Sequence, residues 1–177
     1  MRIFLRFKKA LIESKALFGP SKTIEGIAIH GSQEFIHLTS QALLLLKEKA
    51  PEAYQLIQQH IGRILSGTRS RVLVRMLPSF PAWCIVGQGS ASSPLIEYAA
   101  GLAHEAYHGH LYATYKKSNP KSRVPYEACG GEKGEQLCLD YECRVLRQLG
   151  ADEATVQQAR DSMRSRWWEI PADEQNW

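Results

Sequence analysis

Apolar residues recur along this chain with two periods, and the switches between them mark its elements. Residues 23–30 and 34–38 alternate in twos around Gly31-Ser32 and predict two short strands. Ser40 is placed to cap a helix running to about residue 50. Pro51 stands at the first position of a second helix, predicted over 51–65 from the stripe Ala53, Leu56, Ile57 and Ile61, with Gly67 ending it. Residues 71–76 alternate like a strand, 83–86 predict another, and 87–93 (GQGSASS) read as a flexible polar link. Ser93-Pro94, a hydroxyl cap followed by proline, opens a helix predicted over 94–115 that Asn119-Pro120 stops. After a loop to Gly131 come helices predicted over 132–149, ended by Gly150, and over 152–168, capped by Asp152. This mixture predicts one α+β domain over 1–177: N-terminal strands and helices in 1–70, a core in 71–151, and a C-terminal helix and tail in 152–177.

Composition narrows the class. With 177 residues, 44% of them hydrophobic, the chain has the make-up of a globular protein, which excludes a disordered or fibrous one. The longest clean apolar run, 42–46, falls far short of the roughly 18–20 residues of a membrane span. A net charge of +4 is too mild to point to a nucleic-acid partner, and nothing in the pattern specifies an oligomer. Cys84, Cys129, Cys138 and Cys143 match no zinc knuckle or CxxC spacing, and no secretory signal is evident before them. They are expected to be reduced, small core residues of a cytoplasmic protein. The basic N-terminal segment places Phe4, Phe7, Leu11 and Phe18 near one helical face, while Ile3, Leu5 and Phe7 alternate like a strand. It is expected to pack on the domain rather than lie on a membrane. Trp167-Trp168, beside Arg164 and Arg166, is expected to cover the core.

The chemistry lies in the helix predicted over 94–115, where residues 104–108 read His-Glu-Ala-Tyr-His. Histidines at i and i+4 share one helical face, so His104 and His108 can bind one Zn²⁺. Glu105 is rotated by about 100° from His104, off the metal but within reach of a water that the metal holds, as a general base. Only Glu97 and Glu105 are charged between residues 94 and 115, so the helix is largely buried and its polar groups need partners. His110, at i+2 from His108, points elsewhere. The next helix supplies a third ligand. Steps of about 100° put Glu135 and Glu142 on the apolar face with Cys138, Leu139, Val145 and Leu146, while Asp140 faces water. Buried carboxylates are rare unless paired or metal-bound. Glu135, nearer the loop, is the expected ligand; Glu142 is a group that orients a ligand histidine, or the ligand itself.

His104-Glu105-x-x-His108 followed by a glutamate on a later helix resembles the gluzincin division of zinc metallopeptidases. Glu135-Gln136-Leu137-Cys138 resembles the ExxA helix of small single-domain members, and 131–151 is similar to HExxH-type bacterial proteins. The resemblance covers about residues 71–151 and implies a zincin-like fold with one Zn²⁺ and a peptide or protein substrate. It also implies an edge strand that pairs with an extended peptide, the expected strand being 83–86. Zincins add a Tyr or His that stabilises the oxyanion. No motif marks it here, and Tyr112, Tyr126 and His110 are available. The alternative is a zinc-binding regulatory or interaction protein with lost or restricted catalysis.

Overall fold

The computed structural model describes residues 18–67, 70–73 and 82–166. Most of the N-terminal basic segment, residues 74–76 and the Trp167-Trp168 pair lie outside the described residues. A five-stranded mixed sheet, ordered β1-β2-β3-β5-β4, packs against helices. The strands are β1 (Ser21–Ile24), β2 (Ile27–His30), β3 (Ile61–Gly67), β4 (Arg71–Leu73) and β5 (Ala82–Gly87). The helices are α1 (Gln33–Lys49), α2 (Pro51–His60), α3 (Leu95–Ser118), α4 (Gly131–Leu149) and α5 (Glu153–Ser162).

The N-terminal half departs from its sequence pattern in several places. The strand expected over 23–30 is a hairpin, because Glu25 and Gly26 both take positive φ (44° and 92°) and turn the chain back. Glutamate is an unusual residue there, and three partners hold it. Lys47 and the Tyr54 hydroxyl donate to its carboxylate, and Gln58 donates to its carbonyl. Residues 34–38 are helix, not strand. Ser32 caps α1 by accepting from Phe35 N, and Phe35, Ile36, Thr39, Leu43 and Leu46 bury one stripe. Ser40, expected as the cap, lies inside α1 and donates to the Ile36 carbonyl.

The helix expected to residue 65 ends at His60, and β3 follows at once. Ile61, Ile64 and Leu65 satisfy either period, and pairing with two neighbouring strands decides for the strand. Residues 88–91 form a single helical turn rather than a flexible link. Helix α3 starts one residue late, at Leu95, with Pro94 rather than Ser93 in the cap position. Helix α5 is capped by Asp152, which accepts from Thr155 N, but stops at Ser162.

Strand β5 pairs parallel to β3 on one side and antiparallel to β4 on the other. It is therefore interior, consistent with the unbroken burial of Cys84, Ile85 and Val86, and among the described residues β4 and β1 are the two edge strands. This corrects the expectation that 83–86 forms the edge.

The core lies between one sheet face and the helices, built on Ile29, Leu43, Leu46, Ile57, Ile64, Ala103 and Leu146. Helix α3 runs through it, against α1, α2 and, most extensively, α4. Its small residues let neighbours come close. A Cβ at Gly109 would stand 2.9 Å from the His60 Cβ on α2. Tyr107 stacks on Tyr141 of α4 with ring centroids 4.6 Å apart, and the Arg144 guanidinium lies over the Tyr141 ring. Among the described residues no helix is long and apolar enough to cross a membrane.

Candidate metal centre

His104 and His108, one turn apart on α3, face α4. Their Nε2 atoms lie 3.1 Å apart, and their side chains are only 12% and 14% exposed. Each ring is held from behind at Nδ1. His104 Nδ1 donates to Glu142 Oε2 at 2.8 Å, and His108 Nδ1 donates to the Cys129 carbonyl at 2.7 Å. A carbonyl can only accept, so His108 Nδ1 carries the hydrogen and, in the neutral ring, Nε2 carries the lone pair. Glu142 imposes the same tautomer on His104. With both rings neutral, two lone pairs would face each other across 3.1 Å, an arrangement that a proton or a cation between them relieves.

The third side of this space is Glu135. Its Oε2 lies 3.4 Å from His104 Nε2 and 3.6 Å from His108 Nε2. Cys138, one turn further along α4, places its sulfur 3.2 Å from His108 Nδ1. His104, His108 and Cys138 have donor atoms within 4.8 Å of one another and could hold a metal ion.

Without a cation the cluster is strongly polarised. Burial pulls His104 down, but hydrogen bonds with Glu135 and Glu142 outweigh it and push its pKa up to about 10. Burial raises Glu135, yet the two imidazoles hold it down at about 2. A proton thus does the work of a cation between the carboxylates. Glu105 is half-buried; burial raises its carboxyl group, with both histidines pulling the other way. Burial also pushes the Cys138 thiol far up, so it stays protonated in the metal-free protein.

Helix α3 carries His104, Glu105 and His108, and α4 brings Glu135 and Glu142 against the two histidines. Asp140 faces water and accepts from Gln136, as its projection requires. His110 faces His60 and Tyr107 instead of the centre. Tyr112 is half-buried one turn beyond His108, and Tyr126 sits in the loop before α4 with 48% of its surface exposed.

Two groups beside the histidines carry no ligand signal of their own in the sequence pattern. The Cys129 carbonyl is a backbone group, which leaves no mark in a pattern of side chains. Cys138 was expected to be plain core; its place three residues after Glu135 was the available signal. Compared with known proteins, the chain matches no family model, no curated protein and no solved structure.

Proposed function

We propose that this chain is a zinc-dependent hydrolase of the metallopeptidase type, with His104, His108 and Glu135 as ligands of one Zn²⁺. One observation carries this reading: two imidazoles whose Nδ1 atoms are committed elsewhere converge with a carboxylate oxygen, at 3.1, 3.4 and 3.6 Å. Tetrahedral zinc with ligands at about 2.0–2.1 Å keeps them about 3.3 Å apart, so the donors fit. Glu135 is preferred over Cys138 because the sulfur lies beside Nδ1 of His108, the nitrogen given to the Cys129 carbonyl. Glu142 lies behind His104 and orients it.

Zinc bound there supplies Lewis-acid polarisation of a carbonyl and an acidified water. The chain's own residues do the rest. Glu105, made more basic by burial, takes a proton from the attacking water and returns it to the leaving amine. Strand β4, which has no outer neighbour strand among the described residues and lies beside α3, is the proposed edge for an extended peptide. Tyr112, on the same side of α3 as His108, is the proposed oxyanion donor.

The second reading, a zinc-binding regulatory or interaction protein without turnover, is favoured by how closed the histidines are. One experiment separates the two. Wild type and Glu105→Gln are purified, analysed for zinc, and incubated with a peptide library. The first reading expects zinc in both and cleavage by wild type alone. Zinc in both with no cleavage by either supports the second. Cleavage unchanged by Glu105→Gln contradicts the role given to Glu105.

A further inference from the structure

A metal ligand is only as well placed as the group behind it, and behind His108 stands a loop carbonyl rather than a side chain. A loop carbonyl holds an orientation only if the loop itself is held. Between Pro125 and Gly134 this is done at unusually close range. The Tyr126 carbonyl accepts from both Cys129 N (3.1 Å) and Gly130 N (2.7 Å), closing a tight turn. The Tyr126 ring then folds back over that turn, so that a Cβ on Gly130 would stand 2.6 Å from the ring. Gly131 follows with a φ of +64°, a conformation that favours glycine, and the ring lies 3.6 Å from its Cβ position. From the other side, Gly134 lets α4 lie against the Cys129 backbone, where a Cβ would come within 2.9 Å of the carbonyl carbon. Gly134 N also donates to the Gly130 carbonyl at 3.2 Å.

Tyr126 thus clamps the turn from outside and Gly134 seats it from inside, with the carbonyl that aims His108 held between them. We propose that Tyr126 is a positioning residue of the metal centre: its ring, not its hydroxyl, fixes the Cys129 carbonyl and through it the metal-facing nitrogen of His108. This rests on the zinc reading above. The ring is half exposed, so it contributes little to the core, and an effect on the centre can be told from an effect on folding.

The test compares zinc affinity, by competition with a chromophoric chelator, across wild type, Tyr126→Phe, Tyr126→Ala and Gly130→Ala, with the unfolding midpoint of each metal-free protein alongside. Tyr126→Phe should bind like wild type. Tyr126→Ala and Gly130→Ala should bind about 10- to 100-fold more weakly, the usual cost of losing a group that orients a ligand. For Tyr126→Ala the metal-free midpoint should stay close to that of wild type. Should Tyr126→Ala not fold, Tyr126→Leu, which lacks the flat ring, gives the same comparison. Wild-type affinity in Tyr126→Ala overturns the proposal and leaves the zinc reading standing. A loss in Tyr126→Phe equal to that in Tyr126→Ala overturns it in favour of the hydroxyl. So does a loss that merely follows a fall in the unfolding midpoint. No zinc in the wild type removes the reading on which the proposal rests.

Discussion

Helix α3 brings histidines into ring contact on two of its sides, and among the described residues one of the two contacts belongs to a candidate metal site. His104 and His108 meet edge-on with centroids 4.9 Å apart; His110 meets His60 of α2 edge-on at 5.5 Å. The distances are similar and the electrostatics are opposite. Burial and the neighbouring His110 lower the pKa of His60, so this contact favours a neutral His60. His104 goes the other way, to about 10, because hydrogen bonds with Glu135 and Glu142 overcome its burial. His110 lies beside Tyr107, and His60 packs at the Gly109 notch, so aromatic and backbone surface shape that contact. What makes a candidate metal site is therefore not two close histidines. It is a pair of acceptors that fix the tautomers from behind and a carboxylate that closes the front.

The largest expected effect tests that contrast directly. Replacing His104 or His108 by Ala should lower zinc affinity by more than about a thousandfold by removing a ligand. His110→Ala should leave one zinc per chain, read by elemental analysis after dialysis. Zinc loss in His110→Ala would place the centre on the wrong side of α3.

The two carboxylates come next. On the proposed assignment of Glu135 as ligand and Glu142 as orienting group, Glu135→Ala should cost at least about 100-fold in zinc affinity and Glu142→Ala about 10- to 100-fold. The reverse order would exchange their roles.

The metal-free protein should show the contrast in its pH dependence. His104 is raised in the fold, so its contribution to stability is full below its ordinary value of 6.5 and is lost as pH rises through about 10. Glu135 is depressed, so its contribution is full above 4.5 and is lost as pH falls towards about 2. His60 has the opposite sign to His104. It favours the fold above 6.5 and opposes it as pH falls below that value. Urea midpoints from pH 5 to 10 should therefore fall at the alkaline end in wild type and fall less in Glu135→Gln. Superimposable alkaline limbs would mean that no such ion pair exists.

The smallest effect belongs to Cys138. If the sulfur only shares the N–H of His108, Cys138→Ser should change zinc affinity by less than about tenfold. A hundredfold loss would make the sulfur a ligand.

The clustering of side chains at the candidate site is more legible in the sequence than the sheet that carries it. Helices α3 and α4 are long and strongly periodic. Steps of about 100° were enough to turn His104, His108, Glu135 and Glu142 to one side and Asp140 to the other. The N-terminal half departs from its sequence pattern where local pattern and tertiary pairing disagree. Glu25 in a left-handed turn hid the β1–β2 hairpin because glutamate carries no turn signal. Ile61, Ile64 and Leu65 fit a helical stripe as well as a strand, and only partner strands on both sides settle them. The edge was misplaced for the same reason, since which strand is last in a sheet is a property of the pairing and not of the strand.

The central claim is that zinc sits among the two Nε2 atoms and the Glu135 carboxylate, with the Cys138 sulfur outside. X-ray absorption at the zinc edge of the loaded protein tests it most directly. The expected result is a first shell of nitrogen and oxygen scatterers alone, at about 2.0–2.2 Å. A sulfur scatterer at about 2.3 Å, absent from Cys138→Ser, would contradict it.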